Sequence, residues 1–259
     1  VGTMPLQIGI VLLGATISLP YALAVSSVYL PWIALFVIAS FVVGLMLGKL
    51  LGIHHRVAFL LSSGAAICGG TAMAAVAPII KAKPQELLIA MTIIFLLNAV
   101  AIIVFPLVGN YLEMNNFEFG AWAALAIHDT GSVIGSALTF SNESAEVAAT
   151  LKLGRTIWLI PLILITNWIF NKRAQATKFP RFILFFILAI VANTVFTFNE
   201  QIINILQISS QAFLLIGLFC IGSQFDPNEL NSISGKPLLL ALTLWALVIP
   251  SAYFLVKYF

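Results

Sequence analysis

Ala126-Ile127-His128-Asp129-Thr130-Gly131-Ser132-Val133-Ile134-Gly135-Ser136 sets two adjacent ionisable side chains and a run of hydroxyls in the middle of an otherwise apolar segment, 118–140. An Asp at the centre of a bilayer costs roughly 2.5–3.5 kcal/mol on insertion scales, so ionisable groups at that depth are functional candidates by default. His titrates near physiological pH, which makes proton coupling chemically available. Two bland alternatives stand beside this. The pair is satisfied structurally by neighbouring helices, or the segment starts late and His128 sits near a surface.

The surroundings of that stretch identify the solvent. The chain has 259 residues, 61% hydrophobic and 8% charged, against about 45–50% apolar and 25% charged in soluble domains. A spanning helix needs roughly 20 mostly apolar residues. The apolar runs here are long and do not alternate with polar residues, which argues against a barrel. Apolar length predicts an all-α polytopic membrane protein with about nine membrane segments: 4–19, 31–50, 56–80, 86–109, 118–140, 156–171, 180–198, 209–225 and 237–257. Connections are short, so 1–259 is read as one transmembrane domain. The net charge of +3 is spread over loops and suggests topology, not nucleic acid. Cys68 and Cys220 lie in apolar segments and indicate no disulfide framework. Val1 precedes a segment with no basic n-region or cleavage site, so further spans are expected ahead of it.

Lys and Arg set the orientation. With every segment crossing, one side receives Lys49, Arg56, Lys172, Arg173, Lys178, Arg181 and Lys236, and the other Lys81, Lys83, Lys152, Arg155 and Lys257. The loop from Asn171 to Arg181 is the strongest signal and is placed in the cytoplasm. The C-terminal end then faces outward. This depends on the parity of the spans. Leu6–Gly14 also resembles Leu214–Gly222 at a constant offset of 208 residues. In the segment count the copies lie seven spans apart, hence inverted, as in secondary transporters that build a midplane site between two halves. The competing explanation is glycine used for helix packing in both segments.

The third segment holds Gly64-Ala65-Ala66-Ile67-Cys68-Gly69-Gly70-Thr71-Ala72. Two consecutive glycines weaken a helix. A break there exposes a helix N-terminus suited to anions and carbonyls suited to cations, and Thr71 adds a hydroxyl. Close packing through small residues is the alternative. The sixth segment opens with Lys152 and Arg155, three apart on one helix face. Arg offers a planar fork of donors for oxyanions. Alternatively, both snorkel to the interface, or Arg155 is the counter-charge of Asp129. His54-His55 reads as a solvated loop, and no metal-ligand spacing appears. Asn98 and Asn193 read as interhelical hydrogen bonds, and Asp226-Pro227-Asn228-Glu229 as a helix-starting turn. No P-loop, serine elbow or cofactor motif is found.

The order Leu-x-x-Gly-Ile-Val-Leu-x-Gly near the start, Ile67-Cys68-Gly69-Gly70-Thr71-Ala72, His128-Asp129-Thr130, Lys152-Leu153-x-Arg155 and Trp158-x-Ile160-Pro161 resembles the YeiH-like family of bacterial inner-membrane proteins, labelled sulfate exporters. The resemblance covers essentially the whole chain. It implies a superfamily of inverted-repeat carriers that includes bile-acid symporters, auxin carriers and cation–proton antiporters. It also implies panel and core domains, discontinuous helices crossing near the midplane, and additional spans before Val1.

The resulting expectation is a secondary transporter, not an enzyme, carrying a small anion such as sulfate or a sulfonate by alternating access. Cys68, Gly69, Gly70, Thr71, His128, Asp129, Thr130, Ser132, Lys152 and Arg155 would form the substrate site. His128 and Asp129 would handle H+ or Na+. A homodimer is left open. The rivals are a cation antiporter centred on Asp129 and an intramembrane enzyme using His128-Asp129. The enzyme reading lacks an evident nucleophile, Cys68 being distant in sequence.

Overall fold

The computed structural model describes residues 3–170, 181–222 and 235–258. Among these, all regular structure is helical. Pro31–Leu50, Pro84–Tyr111, Asn142–Phe170 and Gly235–Tyr258 are long and apolar enough to cross a bilayer. Large apolar side chains stand outward, among them Ile103, Leu107, Trp168 and Phe219. Such a surface is stable against lipid and not against water.

The chain begins with α1 (Thr3–Gly14) and α2 (Leu19–Leu50). The expected second segment starts at residue 31, but the helix starts twelve residues earlier and runs through Pro31. Next come α3 (His55–Ala66) and α4 (Gly70–Val76), then α5 (Pro84–Tyr111). The helix pair α6 (Asn116–Ala126) and α7 (Thr130–Phe140) follows. The chain continues through α8 (Asn142–Thr156), α9 (Leu159–Phe170), α10 (Arg181–Phe196), α11 (Glu200–Gly222) and α12 (Gly235–Tyr258).

Segments 56–80 and 118–140 are not through-spans. Each is a hairpin of two short helices whose open ends lie together. At the base of α3, His54 Nδ1 is 3.2 Å and Arg56 Nη1 3.9 Å from the carboxylate of Glu86. Glu86 also accepts the Lys83 N–H at the start of α5. The chain therefore enters α3 and leaves α4 at the same surface. At the base of α6, Phe119 stacks on Phe140 at 4.1 Å between ring centroids. There Asn116 Nδ2 donates to Glu143 Oε2 at 2.9 Å, and Ser144 Oγ donates to the Asn116 carbonyl. The second hairpin opens at the other surface, since α5 crosses between the two. Phe170, at the end of α9, packs edge-on against Phe59 of α3, so α8 and α9 together return to the first surface.

This corrects the charge assignment. Lys81 and Lys83 share the surface of Lys49 and Arg56. Lys152 and Arg155 are fully buried and belong to no loop. Lys236 lies beside Gly52 on the same surface as Lys49. Lys257 stands on the opposite surface, 3.0 Å from Glu118. The positive-inside rule then puts the Lys49, Arg56, Lys81, Lys83 and Lys236 surface in the cytoplasm. The two parity errors cancel, so the Lys257 end still faces outward. The 171–180 loop and the Asp226–Glu229 turn lie outside the described residues.

Two further boundaries differ. Helix α8 was expected as a connection, but it is a helix buried along most of its length. Its Asn, Glu, Lys and Arg hide it from a hydropathy window. Helix α11 begins at Glu200, nine residues before the expected segment. The segments of the proposed repeat belong to α1 and α11, which pack directly on each other. There Ser210 Oγ donates to the Gly9 carbonyl at 2.8 Å.

Candidate functional site at two hairpin tips

A helix end leaves its last carbonyls without intrahelical donors, and at membrane depth no water is at hand to satisfy them. Both hairpin tips pose this problem in the middle of the fold. Helix α3 stops at Ala66 because the chain must turn at Ile67-Cys68-Gly69. Gly69 adopts φ +59°, ψ −124°, a conformation that favours glycine. A Cβ placed on Gly69 would lie 3.4 Å from Asp129 Cα. The two tips therefore meet at van der Waals distance.

One buried guanidinium serves both tips. Arg155 Nε donates to the Ala66 carbonyl at 2.7 Å and Nη2 to Ala65 at 2.5 Å, capping α3. Its Nη1 donates to Leu125 at 2.6 Å and Ala124 at 3.2 Å, capping α6. Lys152 Nζ donates to the Ile127 carbonyl at 2.7 Å, and Trp245 Nε1 to Ala126 at 3.2 Å. The Ala123 carbonyl takes the Ile127 N–H, and those of Ser63 and Gly64 take Ile67 and Gly69. Every terminal carbonyl of α3 and α6 is thus satisfied. Cations placed at helix C-termini also oppose the negative end of the macrodipole. Phe36 packs its ring 5.5 Å from the Arg155 guanidinium carbon.

The N-terminal halves differ. Asp129 caps α7, its Oδ2 accepting the Ser132 N–H at 3.1 Å and the Ser132 hydroxyl at 3.3 Å. This is the usual use of an acidic residue at an N-cap. Asp129 is half-buried, and among the described residues it makes no ion pair with Arg155. The sequence left Arg155 as an anion ligand, a snorkelling side chain or the Asp129 counter-charge; the geometry instead shows it clamping main-chain carbonyls.

His128 is buried, and neither ring nitrogen has a partner among the described residues. Its backbone N–H donates to Asn98 Oδ1 at 3.3 Å, while Asn98 Nδ2 and Ser136 Oγ are also buried and unpaired. Buried polar groups are nearly always hydrogen-bonded. Beside the two tips, His128 and Asn98 are thus linked through the His128 backbone while their side-chain nitrogens stay unpaired among the described residues.

Of the residues singled out in sequence, Gly69, His128, Asp129, Thr130, Ser132, Lys152 and Arg155 gather at the tips or clamp them. Cys68 joins them within electrostatic reach of Lys152 and Asp129, despite its distance in sequence. Gly70 opens α4 against Phe95. Thr71 is exposed in the first turn of α4. Sequence reasoning passed over Trp245 and treated Asn98 as a lone amide. A tryptophan in an apolar span carries no signal that it will cap another helix.

Helical composition, lipid-facing apolar surface and the buried polar tips define a multi-pass protein of a bacterial membrane. The chain belongs to the family described as conserved hypothetical protein 698, whose model matches residues 2–241, the family that the motif order identified. It is 38% identical to a UPF0324 membrane protein of Bacteroides thetaiotaomicron over 94% of this chain and 74% of that one. It is 39% identical to one of Vibrio parahaemolyticus, over 94% and 80%. With one of Geobacter sulfurreducens it shares 34% identity over 95% and 79%. No solved structure matches.

Proposed function

We propose that the protein is a secondary transporter that binds a small anion at the hairpin tips and moves it by alternating access. The observation that carries this is the meeting of two opposed half-membrane hairpins, with unpaired His128 and Asn98 groups beside the contact. Irregular backbone at membrane depth is tolerated where it is buried in protein or lines a cavity, and transporter sites use it at the midplane. Hairpins entering from opposite surfaces support an inverted-repeat ancestry. With both hairpins counted as re-entrant, α1 and α11 still run in opposite directions. The expected crossing of discontinuous through-helices is replaced by tips that abut.

Charge supports an anion. Two buried cations stand against one carboxylate and two helix C-termini, each worth roughly half a charge, and the N-termini of α4 and α7 add positive potential. Sulfate or a sulfonate is the expected solute. Arg155 and Lys152 contribute through the field and by fixing the tips. His128, Thr130 and Ser132 are the groups that contact the ligand. No partner other than lipid, solute, coupling ion and a second copy is proposed, and no enzymatic step is assigned to the His128-Asp129 pair.

The test is thermal stability of the purified protein against a panel of anions, because a ligand that binds only the native state raises stability by mass action. Stabilisation by sulfate or a sulfonate, lost in His128→Gln, supports the reading. Stabilisation that His128→Gln leaves untouched removes the tips from the binding site. A second reading, a cation antiporter, is favoured by the Asp129 Oδ1 atom, which has no partner among the described residues. Stabilisation by Na+ alone, lost in Asp129→Asn, would select it.

A further inference from the structure

We propose that a cavity on the outward surface, separate from the hairpin tips, binds a hard inorganic cation. The cavity holds about 590 Å³ and is lined by Thr16, Ser18, Glu143, Glu146, Asn193 and Thr194, among others. It lies on the surface where α6 and α8 begin, opposite the basic loops, because Glu143 bonds Asn116 there.

Three observations point to a cation. Glu143 and Glu146 are three apart on α8, so both carboxylates sit on one helix face. Neither has an ion-pair partner among the described residues. Among the described residues Glu146 Oε1 accepts a hydrogen bond only from Thr16 Oγ1, at 3.5 Å, and that hydroxyl makes its stronger bond to the Leu13 carbonyl at 2.7 Å. Independently, Asn193 is 8% exposed, lines the cavity, and its amide has no hydrogen-bond partner among the described residues. Carboxylate, amide and hydroxyl oxygens together form the donor set of alkali and alkaline-earth ions. The same carboxylates repel the anion proposed for the tips.

The cavity and the tips are lined by different residues. Lys152 is six residues beyond Glu146 on α8, about 9 Å along the axis. Ile17, Ile134, Ala149 and Leu153 belong to one buried apolar cluster with Phe186 and Ile190 beside this stretch of α8. The site is therefore an outer pocket beside a buried apolar cluster. Its cation binding does not depend on which solute the tips carry.

The experiment is thermal unfolding of the purified protein in detergent at pH 8. Li+, Na+, K+, Mg2+ and Ca2+ chlorides are titrated at ionic strength held constant with choline chloride. At least one cation is expected to raise Tm by about 3 °C or more at saturation. Glu146→Gln and Asn193→Leu should each raise its half-saturating concentration tenfold or more, while Asp129→Asn changes it less than threefold. No cation-dependent rise in the wild type overturns the proposal. So does a rise that survives Glu146→Gln and vanishes in Asp129→Asn, which would move the ion to the tips. Failure of the anion panel with success here would sink the proposed solute and leave this site standing.

Discussion

Arg155→Met removes the clamp and nearly preserves its volume. Four buried carbonyls, on Ala65, Ala66, Ala124 and Leu125, lose their donor. A buried group left unsatisfied costs about 1–3 kcal/mol. Against this, the variant no longer desolvates a guanidinium, which offsets several kcal/mol. The two tips also lose a side chain that bonds both, so relaxation of one costs the other less. The net expectation is a loss of about 3–5 kcal/mol, a large share of the roughly 5–15 kcal/mol that holds a typical protein folded. At about 2–4 °C per kcal/mol for a chain of this size, Tm falls by roughly 10 °C. Arg155→Lys should lie between, since one ammonium cannot reach carbonyls on two helices at once. The assay is fluorescence-detected unfolding in detergent, without added solute. Arg155→Met melting within about 2 °C of wild type, while losing anion stabilisation, would refute the clamp and make Arg155 a direct ligand.

Other substitutions separate the parts of the site. Gly69→Ala forces an unfavourable φ at the first tip and should cost about 1–3 kcal/mol, read as a Tm lowered by roughly 2–12 °C. Lys152→Met deletes one bond, to Ile127, and relieves a buried charge, so it should lower stability by only about 1 kcal/mol. A loss as large as that of Arg155→Met would show that Lys152 supports more than one carbonyl. Asp129→Asn keeps an N-cap acceptor and should melt close to wild type, whereas Asp129→Ala should lose about 1 kcal/mol. Equal melting of the two would mean that Asp129 does not cap α7 in solution.

Much of the fold could be read from apolar length, because lipid demands long apolar runs whatever the tertiary arrangement. The break at Gly69 was visible for a local reason: consecutive glycines in mid-segment. The hairpins were not visible. Two helices of 12 and 7 residues around a tight turn present the same apolar window as one through-helix, and hydropathy cannot see the chain reverse. The clue lay in charge, since Lys81 and Lys83 make better sense beside Arg56 than across the bilayer from it. Helix α8 escaped notice because its polar residues serve buried backbone and the cavity, so its composition resembles a loop. The role of Arg155 was hidden for a deeper reason. Its partners are main-chain carbonyls, which every residue carries and no side-chain pattern announces. His128 and Asp129 were conspicuous because ionisable groups in apolar runs are rare.

The most direct test of the central claim is solute flux in proteoliposomes. Purified wild type, His128→Gln and Asp129→Asn are reconstituted at matched, folded density, preloaded with unlabelled sulfate or a sulfonate, and assayed for uptake of the labelled solute by counterflow. The account predicts counterflow in the wild type for at least one of these anions, and its loss in His128→Gln. Flux that is unchanged by substitution at the tips, or counterflow absent for both anions in folded wild-type protein, would contradict it.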